Sequence, residues 1–265
     1  MGHDIILSTI KKDYVRRLAD EGRRVDGRAF DEYRRLSVRA GVIGKAEGSA
    51  DVKVGNTRVV AGVKMIEGKP YPDKPNEGAM STGAELNPLA SPAFEAGPPR
   101  EDAIELSRVV DRGIRESGLI DMKALCIEPG EKVWISFIDI DILDDDGNLF
   151  DACSLAATAA LMNTMVPISK VDPTKENYAL PMSESLPVQT TFAKIGKSIV
   201  ADPGLDEEGC MDVRLTVSTD QFGNIRAMQK GGGSGSFTKA EIVETVARGR
   251  EIQAALRDVL EQSRA

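Results

Sequence analysis

The stretch that decides the fold is Asp144-Asp145-Asp146-Gly147-Asn148-Leu149-Phe150-Asp151-Ala152, followed at once by Cys153-Ser154-Leu155-Ala156-Ala157. Alternating apolar residues over 133–143 predict a β-strand before it, and small residues over 151–165 predict a buried helix after it. The turn lies where an α/β enzyme usually places its anion-binding groups, yet it holds no Ser, Thr, Arg or Lys. An anion there would meet carboxylates and a Phe, so the turn argues against phosphate chemistry in this chain.

Further elements precede this stretch. Residues 48–64 predict a hairpin around Gly55-Asn56, and residues 100–117 predict a helix. Between them, the Pro- and Gly-rich residues 68–99 predict a long ordered loop or strand-loop excursion. Residues 4–20 predict an amphipathic helix, whose apolar positions are Ile6, Ile10, Tyr14 and Leu18.

The second half of the sequence shows the same pattern of strands followed by a helix. Gly223-Asn224 marks a turn between two strands, and Gly231 to Gly235 predicts a flexible connection to a C-terminal helix. Thr238 is a good N-cap for that helix, with Glu241 at the capping-box position. Strands followed by helices, twice, predict an α/β (α+β) fold with two similar halves of mixed β-sheet packed with helices. The predicted strands are 188–192, 198–200, 212–217 and 224–228.

Composition limits the possible functions. The chain has 265 residues, 41% of them hydrophobic, which is enough for one large domain or two small ones. The net charge is -8 and the pI is about 5.0, so contact with a nucleic acid must come from a local basic patch.

The sequence indicates neither metal binding nor membrane insertion. His3 is the only histidine, and Cys126, Cys153 and Cys210 are widely spaced without a CxxC pair, so we expect no zinc site and no cofactor. Reduced thiols predict a cytoplasmic protein, and no apolar run is long enough for a membrane span. Any catalysis would have to rest on carboxylates, Lys or Arg, or on a partner.

Arg108, Arg112 and Arg115 form a basic stripe on the predicted helix 100–117. Such a stripe could hold successive phosphates of a nucleic-acid backbone. From spacing alone a solvated face is the favoured interpretation, because Glu105, Asp111 and Glu116 lie at pairing distance along the helix.

An acidic cluster spans 202–212. It could bind Mg²⁺ or supply a general acid, but an acidic surface turn around Pro203-Gly204 is the favoured interpretation. Asp212 is the exception, because it opens a predicted strand and is therefore expected to be held in a fixed place. The acidic residues are Asp202, Asp206, Glu207, Glu208 and Asp212.

An ordered set of short motifs resembles the RNase PH family over essentially the whole chain. Within it, the likeness is closest to the non-catalytic ring subunits of archaeal exosomes. This implies a single domain over 1–265, with halves of about 25–170 and 185–265. The motifs are Asp26-Gly27-Arg28, Glu47 to Ala50, Gly55 to Thr57, Glu105 to Arg115, Ile127 to Gly130, Ile140 to Leu143, Leu149 to Cys153 and Asp202 to Glu208.

The resemblance implies a role without catalysis. Active members follow the Asp-Gly turn with a segment that binds inorganic phosphate, whereas the matching positions here are Asn148, Leu149 and Phe150. No catalytic residue is therefore expected. Such subunits alternate with a catalytic RNase PH-like paralogue in a six-membered ring, carry a cap protein with RNA-binding domains and complete the partner's 3′-to-5′ phosphorolytic site on single-stranded RNA.

The resemblance also assigns residues. Arg108 and Arg112 match an Arg-x-x-x-Arg on the family helix near bound RNA, and Arg115 follows them as a third RNA-binding candidate. The vestigial family acidic positions are Asp202, Asp206 and Asp212. Low aromatic content, 5%, agrees with contact to the RNA backbone rather than base stacking.

Three alternatives stay open. The chain could be an active phosphate-dependent exoribonuclease in its own right, which Leu149 and Phe150 count against. It could be a purely structural scaffold without RNA contact. It could also assemble only with itself.

Overall fold

The computed structural model describes the backbone of residues 2–264 and the side chains of residues 11–264. The histidine His3 and the predicted apolar helix positions Ile6 and Ile10 lie outside the part of the chain whose side chains the structure describes. The helices are α1 (Gly2–Asp20), α2 (Glu101–Ser117), α3 (Leu149–Met162), α4 (Leu205–Glu208) and α5 (Lys239–Gln262). The strands are β1 (Leu36–Ala40), β2 (Gly48–Val54), β3 (Thr57–Gly68), β4 (Ala79–Leu86), β5 (Cys126–Glu128), β6 (Lys132–Asp144), β7 (Met165–Val166), β8 (Tyr178–Ala179), β9 (Val188–Ile195), β10 (Ser198–Ala201), β11 (Val213–Thr219) and β12 (Ile225–Gly231).

The first large sheet has the order β1-β2-β3-β6-β4, with β5 also paired to β6. The predicted hairpin is β2–β3, and Gly55 at φ 60° supplies the left-handed conformation that its tight turn requires. The predicted strand over 133–143 is β6. The Pro-rich segment 68–99 contains β4, which pairs in parallel with β6 and makes this sheet mixed.

The second large sheet has the order β10-β9-β11-β12 and is antiparallel throughout. The predicted α/β fold class is confirmed, although only the first sheet is mixed. Short turns join β9 to β10 and β11 to β12, whereas the chain passes from β9 to β11 through β10 and α4. Antiparallel neighbours need no crossover helix of the kind that joins parallel strands. The predicted turn at Gly223-Asn224 joins β11 to β12.

Helices α2 and α3 lie between the two sheets. Helix α3 contacts β2 and β3 on one side and β9 on the other, and all its residues from Phe150 to Leu161 are buried. Small side chains allow this close double contact, as the sequence predicted, although α3 begins two residues earlier and ends three residues earlier than expected. Helix α5 covers the other face of the second sheet, where Phe192 approaches Gly249. Thr238 and Glu241 form the predicted capping box of α5.

The largest apolar cluster takes residues from both halves. It extends from Ala50 in β2 through α2 and α3 to Val188 in β9 and Leu256 and Leu260 in α5. This shared core favours the single domain that the sequence predicts, which stays a prediction. Within the described part of the chain, no helix is both long and apolar enough to cross a membrane.

Candidate functional site: the α3 turn and the α2–β12 groove

The turn between β6 and α3 is tight. Gly147 at φ 86° and Asn148 at φ 58° both adopt the left-handed conformation that Gly and Asn tolerate best. Thr57 fixes the turn from β3, because its Oγ1 accepts from the Asp146 N–H at 3.0 Å and donates to the Gly147 carbonyl at 2.7 Å. Helix α3 therefore starts at a fixed position at the end of β6, and the side chain of its N-cap residue, Asn148, does not cap it.

Carboxylates surround this turn. The Asn148 side-chain amide donates to Asp151 Oδ2 at 2.8 Å and to Asp202 Oδ1 at 2.7 Å, while the Asn148 backbone N–H donates to Glu208 Oε1 at 3.0 Å. Burial raises the pKa of Asp151 to about 6, against the hydrogen bonds from Asn148 and Thr191 that lower it. The turn thus presents negative groups where an anion-binding turn presents donors.

The predicted acidic surface turn at 202–212 is wrong for two of its residues. Asp202 is fully buried and Glu207 is 4% exposed, because arginines from the N-terminal segment compensate their charges. The Arg34 guanidinium makes two hydrogen bonds to the Asp202 carboxylate, at 2.9 Å and 2.8 Å, and the Arg34 backbone N–H makes a third at 2.8 Å. Arg28 adds a fourth at 2.9 Å. Arg24 makes a two-point ion pair with Glu207, at 2.8 Å and 2.6 Å.

The charge of Asp202 is stabilised in place. Burial alone would raise the pKa of Asp202, but the hydrogen bonds and charge of Arg34, together with Asn148, hold the pKa below its usual range. Asp202 therefore stays ionised, at the centre of a network that ties residues 24–34 to the α3 turn. This is the one predicted vestigial position that directly contacts the turn residues.

The other two predicted acidic positions are bonded to α1. Asp206 forms an ion pair with Lys11. Asp212 accepts from Arg16 at 2.6 Å and from the Gly196 N–H at 2.7 Å. Burial raises the pKa of Asp212, but these two donors outweigh it and the pKa is lowered. A carboxyl group with a lowered pKa is ionised at neutral pH and is a poor general acid. The prediction that Asp212 is held in a fixed place is confirmed.

The arginine stripe divides into free and paired residues. Among the described residues, Arg108 and Arg112 have no hydrogen-bond or ion-pair partner, and both line a groove of about 370 Å³ between α2 and β12. Arg115 is held by Asp111 at 2.9 Å and by the Met80 carbonyl at 2.9 Å. Two guanidinium groups, one helical turn apart, are therefore available to an anionic ligand.

Arg214 links the groove to the α3 turn. Its guanidinium donates to Glu105 at 2.7 Å, which leaves Arg108 without its expected helix partner, and it stacks 3.7 Å from the ring centre of Phe150. The sequence did not indicate Arg214 as a site residue, and it placed Glu208 only in the acidic cluster. The available signal was a charged residue between Val213 and Leu215 inside an apolar strand.

The glycine run is closely packed rather than a flexible connection. Gly231 ends β12, and a Cβ on Gly233 would lie 2.1 Å from the Asp212 carbonyl. Gly235 donates its N–H to the same carbonyl at 2.8 Å. Glycine is needed here because the backbone passes directly against Asp212, the residue before β11.

Cys126, Cys153 and Cys210 are all free thiols, and burial raises the pKa of Cys153 well above its ordinary value. Over the described residues, no group of three His, Cys, Asp or Glu side chains is arranged to hold a metal ion.

Comparison with known proteins identifies the family. Residues 32–167 match the model of domain 1 of the 3′ exoribonuclease family (RNase PH), and residues 185–252 match the model of domain 2. This chain belongs to the RNase PH family. The family membership inferred from the sequence motifs is therefore confirmed.

The relatives are archaeal exosome proteins. The chain is 52% identical over 261 residues to the exosome complex component Rrp42 of Methanocella arvoryzae, covering 98% of this chain and 99% of the relative. It is similar to a chain of the Archaeoglobus fulgidus exosome with RNA bound to the active site, with 50% identity, a TM-score of 0.91 and coverage of 96% and 98%. A chain of an archaeal exosome core gives 46% identity, a TM-score of 0.89 and coverage of 98% and 100%.

Proposed function

We propose that this chain is the non-catalytic RNase PH-like subunit of an archaeal exosome ring. It alternates with a catalytic paralogue, and a cap protein with RNA-binding domains sits on one face of the ring. The partner degrades single-stranded RNA from its 3′ end with inorganic phosphate as the nucleophile. The cytoplasm is the proposed compartment, in agreement with three free thiols.

The observation that carries this proposal is the chemistry of the α3 turn. Phosphorolysis requires donors that offset the charge of bound phosphate. Leu149 and Phe150 offer no side-chain donor, and the N–H of Asn148 is already bonded to Glu208. The lowered pKa of Asp212 also makes this vestigial acidic position a poor proton donor.

The RNA role rests on Arg108 and Arg112. They are exposed, have no partner among the described residues and line the groove beside β12. Charge-assisted contacts to phosphates would give binding without sequence preference. Arg115 contributes less, because Asp111 and the Met80 carbonyl already hold it.

The test is RNA affinity of the ring reconstituted with its catalytic paralogue. Arg108→Ala and Arg112→Ala should each weaken binding of single-stranded RNA roughly tenfold and reduce the salt slope by about one. Arg115→Ala should have a smaller effect. Arg23→Ala, which removes an exposed arginine paired with Glu21, is the control. Unchanged affinity in both groove variants would refute the RNA contact and favour a purely structural scaffold.

A further inference from the structure

A carboxylate from another part of the chain occupies the N-terminus of α3. Glu208 Oε1 accepts from the Asn148 N–H at 3.0 Å. Asn148 is the N-cap residue of α3, and its side chain does not cap the helix because it bonds to Asp151 and Asp202 instead. Helix N-termini attract anions through their free N–H groups and their dipole. Glu208 therefore sits where an external anion would bind.

The backbone fixes Glu208 in this place. Leu205, at the start of α4, donates its N–H to the Asp146 carbonyl at 3.2 Å. A Cβ on Gly147 would lie 2.5 Å from the same Leu205 nitrogen, so the α3 turn and α4 are in direct backbone contact. Arg34 donates to the carbonyls of Asp146 and Gly147, at 2.7 Å and 3.0 Å. The turn cannot withdraw from Glu208 without breaking these bonds.

Cationic groups beside the turn complete the features of an anion site. Arg214 stacks on Phe150, in the first turn of α3, and its side chain is only 8% exposed. Its Nε is buried and has no hydrogen-bond partner. Arg34 and Arg214 both act electrostatically on Glu208. Leu149 and Phe150 offer no donor themselves, but the positive charges of Arg34 and Arg214 beside the turn would attract an anion.

Glu208 keeps this position although burial removes its carboxyl group from water, which disfavours the charged form. Although part of the residue reaches the surface, burial of the carboxyl group raises its pKa to about 7, against the lowering effect of the Asn148 hydrogen bond. Asp145 raises the pKa further, while Arg214 and Arg34 lower it. Strongly shifted pKa values cluster at functional sites, which agrees with a role for Glu208 at this turn beside the geometry of its hydrogen bond to Asn148.

We propose that Glu208 is an internal anion that closes the α3 turn to inorganic phosphate. The absence of phosphate binding then depends on Glu208 as well as on Leu149 and Phe150. The inference rests on the proposed non-catalytic function and names the residue that enforces it. Removal of Glu208 should free the Asn148 N–H and leave the positive charges of Arg34 and Arg214 without the opposing carboxylate, so that a phosphate ion can bind at the turn.

The test is phosphate binding by the purified full-length chain at pH 8, where Glu208 with a pKa of about 7 is ionised. The unfolding midpoint is measured in increasing sodium phosphate and in sodium chloride of equal ionic strength, because a ligand that binds only the folded state raises the midpoint. Wild type should show no phosphate-specific rise. Glu208→Ala should show one that corresponds to at least about a tenfold gain in phosphate affinity, since a neighbouring like charge is removed.

Glu241→Ala is the matched control. Glu241 also accepts an N–H at a helix N-terminus, from Thr238 at 2.7 Å, but its half-buried side chain is paired with Lys194. A phosphate-specific rise in Glu241→Ala equal to that in Glu208→Ala would show a general effect of uncapping and would overturn the proposal. Glu208→Gln keeps the shape and removes the charge, so it tests the proposal if Glu208→Ala fails to fold, and it should give a smaller rise.

The inference and the proposed function fail in different ways. If neither Glu208 variant gains phosphate binding while wild type still lacks it, the inference is wrong and the non-catalytic role stands. If wild type itself shows the phosphate-specific rise, Glu208 does not close the turn, and phosphorolysis by the wild-type chain alone would then also refute the proposed function.

Discussion

Glu208 makes a specific prediction about stability and pH. Its pKa is raised from the ordinary 4.5 to about 7 in the folded chain. The folded state therefore binds more protons than the unfolded state between these values, and the contribution of Glu208 to stability falls as pH rises through this window. Each pKa unit corresponds to 1.36 kcal/mol, so ionised Glu208 lowers the free energy of unfolding by about 3 kcal/mol above pH 7.

Glu208→Gln should remove this dependence, because the amide oxygen can still accept from the Asn148 N–H and carries no charge. We expect the variant and wild type to differ little at pH 5. At pH 8, the variant should be more stable than wild type by roughly 2–3 kcal/mol.

The assay is urea denaturation of the full-length chain and of Glu208→Gln at several pH values between 5 and 8. The difference between the two proteins isolates Glu208 from the other titrating groups. A difference that stays constant with pH, or a variant that is less stable at pH 8, would refute the idea that Glu208 is held ionised at a cost in stability.

Three further substitutions test the network around the site, each by urea denaturation of the full chain. Arg24→Ala should destabilise by about 3–5 kcal/mol, because it leaves the buried carboxylate of Glu207 unpaired; a loss below about 1 kcal/mol would contradict this. Gly147→Ala should destabilise by more than about 1 kcal/mol, since φ is 86° and the new Cβ would meet the backbone of Leu205; an unchanged midpoint would argue against close apposition of α4. Thr238→Ala should lose only about 1 kcal/mol, the usual value of an N-cap, and a loss as large as that of Arg24→Ala would show that α5 depends on more than its cap.

Local patterns predicted the elements around the site well. The end of β6, the tight turn and the buried helix α3 follow from residues that are neighbours in the chain, and so does the capping box at Thr238. The boundaries of α3 differed because Leu149 and Phe150 enter the first helical turn directly after Asn148. The predicted strand-loop excursion over 68–99 contains β4, but its parallel pairing with β6 was not foreseen, since the partner lies about 55 residues away and local periodicity does not reveal it.

Burial of charged groups could not be predicted from local sequence. Residues 202–212 look like an acidic surface turn, but the arginines that neutralise Asp202 lie 168 and 174 residues away. The same limit applies to the arginine stripe. Spacing along α2 suggested that Glu105 pairs with Arg108, whereas Glu105 pairs with Arg214 from the second sheet. Only the folded chain shows which arginines stay free.

The central claim is that this chain organises phosphorolysis without performing it. The most direct measurement is release of nucleoside diphosphates from a labelled single-stranded RNA in inorganic phosphate, by this chain alone, by its catalytic paralogue alone and by the two reconstituted together. The account predicts no release by this chain alone and a large gain when the two are mixed. Phosphate-dependent release by this chain alone would contradict it and would mean that backbone groups near Asn148 suffice to hold phosphate.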